Sequence, residues 1–145
     1  MVTSGKKSKY VLGGILIVIA VVAGWFALNA PETTIAYGDL TAKQIHQVLQ
    51  TQREDLIVLD VRTPEEYQEG RIDPQGLEQI NLDFYEGDFR DKLAALDPSK
   101  AYVVYCHSGN RSSQTVALMK QLGFKKIYHM KNGILSWQNA KLPLQ

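Results

Sequence analysis

Apolar positions along this chain follow two unlike patterns. From Val11 to Leu28 no residue carries a charge, and the run has no polar face. After Pro31 the apolar residues come in short runs separated by turn formers, or at the three-to-four spacing of amphipathic helices. Leu56 to Leu59 and Ala101 to Tyr105 are continuous runs, the pattern of strands covered on both faces. Ile80 to Leu82 and Lys126 to His129 predict two shorter strands, and Thr34 to Ala36 a brief extended lead-in. Between them the pattern predicts helices at Thr41 to Leu49, Thr63 to Gly70, Asp88 to Leu96, Ser112 to Leu122 and Ile134 to Asn139. Thr41 or Asp39 can cap the first, and Thr63 with Pro64 starts the second. Gly123 suits the end of the fourth. Strands alternating with helices predict an α/β domain, an open parallel sheet with helices on both faces. In such sheets ligands bind at the carboxyl ends of the strands.

The first pattern has a different meaning. As a helix, residues 11–28 would reach about 27 Å, close to a hydrocarbon core of ~30 Å. Lys6, Lys7 and Lys9 precede the run, and Trp25 and Phe26 sit near its far end. The expectation is a transmembrane anchor over residues 1–30, with the lysines cytoplasmic and the domain of residues 31–145 on the extracytoplasmic side. A signal segment cleaved before Pro31, leaving a secreted domain, is the alternative. Its apolar stretch is usually shorter, ~7–15 residues.

Charge and cysteine content narrow the function. All fifteen acidic residues and thirteen of the sixteen Lys and Arg follow Pro31, so the domain is near neutral and no nucleic-acid partner is expected. A single cysteine excludes an intrachain disulfide, and His46, His107 and His129 show no ligand spacing, so neither metal nor cofactor is expected.

That cysteine directly follows the strongest strand, in Cys106-His107-Ser108-Gly109-Asn110-Arg111-Ser112. Gly109 lets the backbone curl so that successive N–H groups turn inward, continuous with the start of a helix. Such a nest holds anions and favours a thiolate over a thiol. Cys106 is therefore the candidate nucleophile, although a lone cysteine also serves as a small buried hydrophobe.

The same loop resembles the active-site loop of rhodanese-family sulfurtransferases. Leu59-Asp60-Val61-Arg62-Thr63-Pro64-Glu65-Glu66-Tyr67, followed by Gly70-Arg71-Ile72, resembles the family's opening element, and Asn132-Gly133-Ile134-Leu135-Ser136-Trp137 its closing one. Three departures stand out: Arg71 where a His is usual, a lengthened Asp73 to Gln79 connection, and Asn132 in place of a Gly. The resemblance implies that Cys106 takes sulfur from a donor such as thiosulfate as a persulfide. It then passes the sulfur to cyanide, a thiol or a protein cysteine. It also implies that amides from His107 to Ser112 hold the persulfide. Arg111 would attract an oxyanionic donor, Ser112 would cap the helix while donating to sulfur, and His107 would line the loop. Asp60 and Arg62 are expected in supporting roles, Asp60 accepting amides near the loop and Arg62 pairing with Glu66 or another acid. Phosphatases and arsenate reductases of similar fold need five residues between Cys and Arg, whereas four separate Cys106 from Arg111. A sulfur carrier or docking module without turnover is the remaining alternative.

Overall fold

The computed structural model describes residues 34–145, so the expected anchor at residues 11–28 lies outside the described residues. Among the described residues no helix is long and apolar enough to cross a membrane. The elements run β1 (Gly38–Leu40), α1 (Ala42–Thr51), β2 (Leu56–Asp60), α2 (Pro64–Glu69), β3 (Glu78–Asn81), α3 (Phe89–Ala94), β4 (Ala101–Tyr105), α4 (Asn110–Gln121), β5 (Ile127–Met130) and α5 (Gly133–Asn139). The five strands form one sheet in the order β1-β5-β4-β2-β3, with every pairing parallel.

Side chains alternate across a strand, so the central strands feed two cores. Leu56 and Val58 of β2 and Val103 and Tyr105 of β4 pack with Ile45, Val48 and Leu49 of α1 and with Ile134 and Trp137 of α5. Ile57 and Leu59, with Tyr102 and Val104, pack on the other face against Phe89 and Leu93 of α3 and Val116 and Met119 of α4. Every residue of β2 and β4 is buried, as their unbroken apolar runs predict. Cys106 continues the alternation of β4 and falls on the α3–α4 side.

Several boundaries differ from the pattern. Thr34 to Ala36 forms no strand; β1 starts at Gly38, where it meets Tyr128 of β5. The edge strand β3 starts at Glu78 rather than Ile80, because its register with β2 opens at the Ile57–Glu78 pair. Thr41, not Asp39, caps α1, in a reciprocal pair with Gln44. Thr63 caps α2 in the same way with Glu66, and Pro64 occupies the first turn.

Candidate active site

β4 sits beside β2 in the middle of the sheet, and Cys106 leaves its carboxyl end. Gly109, at φ 103°, turns the chain into α4, which begins at Asn110 and not at Ser112. A Cβ on Gly109 would lie 1.7 Å from the Lys131 carbonyl oxygen, so only glycine fits this corner. No side chain caps α4 among the described residues, and its first free amide to find an intrahelical partner is that of Ser113, which donates to the Gly109 carbonyl at 3.0 Å. The amides of Asn110, Arg111 and Ser112 therefore form an open, positive helix end beside the loop.

The Cys106 sulfur is the acceptor in this corner. Gly109 N–H donates to Sγ at 3.1 Å, and Ser112 Oγ donates to it at 3.4 Å. Cys106 is only 1% exposed, walled by the apolar cluster on the α3–α4 side. Burial strengthens those two donors, because water competes less for the sulfur. Of the amides expected to face it, that of Gly109 alone makes the bond among the described residues. Ser112 lies inside the first turn of α4 and is no cap, yet its hydroxyl does reach the sulfur. His107 and Ser108 are exposed, and Asn110 accepts from Gln114 along the helix surface.

The closing element holds this loop from behind. Ile134 N–H donates to the Cys106 carbonyl at 2.8 Å and Leu135 N–H to the His107 carbonyl at 3.2 Å. The N-terminus of α5 thus fixes the loop's backbone, and Gly133 permits the approach: a Cβ there would lie 2.3–2.5 Å from those same atoms.

Arg111 is not a free cation. Its two terminal nitrogens bind both oxygens of Glu66, at 2.6 and 2.7 Å. That pairing is the main reason the Glu66 carboxyl is drawn down to about 2, and the same hydrogen bonding raises Arg111. Glu66 also accepts the Thr63 amide and stands 3.8 Å from His107 Nδ1, so one carboxylate ties α2 to the loop. The Arg111 guanidinium lies over the Tyr85 ring at 5.5 Å.

A family model for the Rhodanese-like domain matches residues 41–140. The chain belongs to the rhodanese family. It is 36% identical over 90 residues to the putative sulfurtransferase YtwF of Bacillus subtilis, covering 62% of this chain and 81% of that one. To the thiosulfate sulfurtransferase GlpE of Glaesserella parasuis it is 27% identical over 109 residues, 75% of this chain and 94% of the relative. A rhodanese-related protein from Thermoplasma volcanium superposes with a TM-score of 0.62 at 31% identity, covering 75% of this chain and 98% of that structure. Other relatives are much longer: the chain spans 18% of the tRNA sulfurtransferase of Tolumonas auensis, at 33% identity over 89 residues.

In this rhodanese domain Asp60 and Arg62 form a buried pair at the end of β2. Asp60 accepts from Arg62 Nη2 at 2.6 Å and from the Arg62 amide at 3.0 Å. Arg62 also donates to the Gly70 carbonyl, and Asn81 donates to the carbonyls of both residues. The pair clamps β2 to the end of α2 and so fixes the helix that carries Glu66. The acid that Arg62 finds is Asp60, while Glu66 goes to Arg111. The lengthened connection is also anchored: Asp73 accepts the Gln75 amide, and Arg53 of the segment after α1 donates to the Gln75 carbonyl.

Two residues at the site escape the sequence reading. Glu66 was expected only as a partner for Arg62, and its bond to Arg111 spans 45 positions. His129 lies on β5, with its ring 3.0 Å from Ser112 Oγ. Its alternation with Tyr128 and Met130, which face the other core, is the one signal that places it on the cysteine's side.

Proposed function

We propose that the domain is a sulfurtransferase that moves sulfane sulfur through a persulfide on Cys106. One observation carries the reading. The Cys106 sulfur lies under an uncapped helix end, accepting from Gly109 N–H and Ser112 O–H, in a loop with only four residues between Cys106 and Arg111. Such a corner suits a single sulfur anion better than a tetrahedral phosphate.

The Cys106 thiolate attacks the outer sulfur of a donor such as thiosulfate. A new S–S bond forms, the donor's S–S bond breaks, and its electron pair leaves on sulfite. A nucleophilic acceptor (cyanide, a thiol or a protein cysteine) then attacks the outer sulfur of the persulfide, and the pair returns to Cys106. Splitting the transfer in two predicts ping-pong kinetics. The two donors and the helix end stabilise the sulfur anion in both halves, preorganised by the bonds from α5. Arg111 acts chiefly as a brace, because Glu66 already balances its charge. The Asp60–Arg62 pair supports that brace and touches no reacting atom.

Assaying thiosulfate–cyanide transfer beside p-nitrophenyl phosphate hydrolysis tests the proposal. Thiocyanate formation with parallel-line kinetics is expected; phosphate release without sulfur transfer would sink it. We also propose that residues 11–28 tether the domain to a membrane, with Lys6, Lys7 and Lys9 on the cytoplasmic face. The length and lack of charge of that run support this. Recovery of the full chain in carbonate-washed membranes is expected. A mature chain beginning near Pro31 would overturn the tether.

A further inference from the structure

The Cys106 sulfur stands at the head of a polar chain that runs through the protein to its surface. Ser112 Oγ lies 3.4 Å from Sγ and 3.0 Å from His129 Nε2, and His129 Nδ1 lies 2.8 Å from Asp39 Oδ1. Ser112 and His129 are buried, whereas the Asp39 side chain is 59% exposed. The His129 ring also borders a cleft of about 150 Å3 shared with Asp39, Tyr37, Lys120 and Lys125.

Asp39 accepts from Nδ1–H, which leaves Nε2 facing the Ser112 hydroxyl. Ser112 Oγ has one proton and three neighbours: the sulfur, Nε2 and the Gly109 carbonyl at 3.1 Å. That carbonyl already accepts from Ser113 Oγ at 2.7 Å and from the Ser113 amide at 3.0 Å, so it has no need of Ser112. Two arrangements then satisfy every group. In one, the Cys106 thiol donates to Ser112 and Ser112 donates to a neutral imidazole. In the other, an imidazolium donates to Ser112 and Ser112 donates to the thiolate. They differ by one proton passed along the chain, with no heavy atom moved.

We infer that Ser112, His129 and Asp39 form a proton relay that takes the Cys106 proton before sulfur is accepted. This inference rests on the sulfurtransferase reading. As the thiol loses its proton to Ser112, the hydroxyl proton of Ser112 goes to His129 Nε2, and the Asp39 carboxylate balances the imidazolium. The thiolate then attacks the donor's outer sulfur. When the acceptor removes that sulfur, the proton returns by the same route to the departing Cys106. Ser112 touches the reacting atom; His129 and Asp39 act through it, as positioning residues. The hydrogen bond to His129 is the leading reason the Asp39 carboxyl sits below its ordinary range, which keeps it anionic for this purpose. The charged and titratable groups facing the relay are Lys120 of α4, Lys125 before β5, Lys131 after it, and Tyr37 beside β1. On the sulfur's side they are Arg111 and, through it, Glu66.

The test is single-turnover release of sulfite from thiosulfate, followed from acid to alkaline pH in the full chain, His129→Gln and Asp39→Asn. Thermal unfolding of each is followed in parallel. His129→Gln keeps a hydrogen-bonding side chain but cannot hold the proton. Near neutral pH it should release sulfite about 100-fold more slowly, the low end of what positioned proton transfer contributes. The deficit should vanish at alkaline pH, where hydroxide can take the proton that the relay no longer carries. Asp39→Asn, a change at an exposed side chain, should shift the profile in the same sense with only the small loss of thermal stability that an exposed ion pair carries. Rates equal to the unsubstituted chain at every pH in both variants, or a deficit that persists unchanged at alkaline pH, would overturn the relay while leaving sulfur transfer intact. Absence of any sulfite burst in the unsubstituted chain would overturn both.

Discussion

Replacing Glu66 by Gln tests whether one carboxylate holds α2 against the loop. Gln keeps an oxygen for the Thr63 amide, so the reciprocal cap on α2 survives and only the charge facing Arg111 is lost. The carboxyl is drawn from an ordinary 4.5 to about 2, chiefly by the Arg111 hydrogen bonds. A drop of that size corresponds to about 3 kcal/mol at 1.36 kcal/mol per pKa unit. The Glu66 side chain is 28% exposed and Arg111 12%, so solvent screening trims the net contribution to about 2 kcal/mol. Because the folded-state value lies below the unfolded one, this stability is fully present above about pH 4.5. It drains away as pH falls toward about 2. Urea unfolding of both proteins between pH 2 and pH 7 measures it. At pH 7 the variant should be less stable by about 2 kcal/mol, and the two should converge at the acid end. A difference that stays constant across the range, or none at pH 7, would refute the ion-pair account.

Asp60→Ala strands the Arg62 guanidinium without its buried partner and should cost about 3–5 kcal/mol in urea unfolding; a loss below about 1 kcal/mol would show that the charge relaxes to water. Gly133→Ala drives a Cβ into the Cys106 and His107 carbonyls at a φ of +57°. The displaced loop should lower kcat/KM for thiosulfate roughly 100-fold, as misplacement of a reacting group by about 1 Å can, and near-normal activity would contradict the role given to α5. Thr63→Ala removes the cap of α2 and should cost about 1 kcal/mol, read as a shift in urea midpoint; an unchanged midpoint would mean the cap contributes nothing here.

The fold was legible because its two central strands are unbroken apolar runs and each helix between them starts or ends on a turn former. Leu56 to Leu59, bounded by Asp55 and Asp60, and Ala101 to Tyr105, preceded by Asp97-Pro98, are too short for helices of that apolarity and read as buried strands. The edges were less legible. Glu78 and Gln79 join β3 only because β2 offers them a ladder, and nothing in their side chains marks a strand. The start of α4 moved two residues toward the cysteine because Gly109 adopts a left-handed turn, and no capping side chain announces the helix. At the site, Cys106 and its loop were readable from local order. The charges around them were not, since Arg111 meets Glu66 across 45 positions and Ser112 meets His129 across 17. Such pairs arise from which strand lies beside which, and parallel order in a sheet is not written in any local stretch of sequence.

Intact mass after incubation with thiosulfate and removal of excess donor tests the central claim most directly. The unsubstituted chain should gain one sulfur atom, about 32 Da, and lose it again on addition of cyanide, whereas Cys106→Ser should gain nothing. An unchanged mass in the first protein, or the same gain in the second, would contradict a persulfide on Cys106.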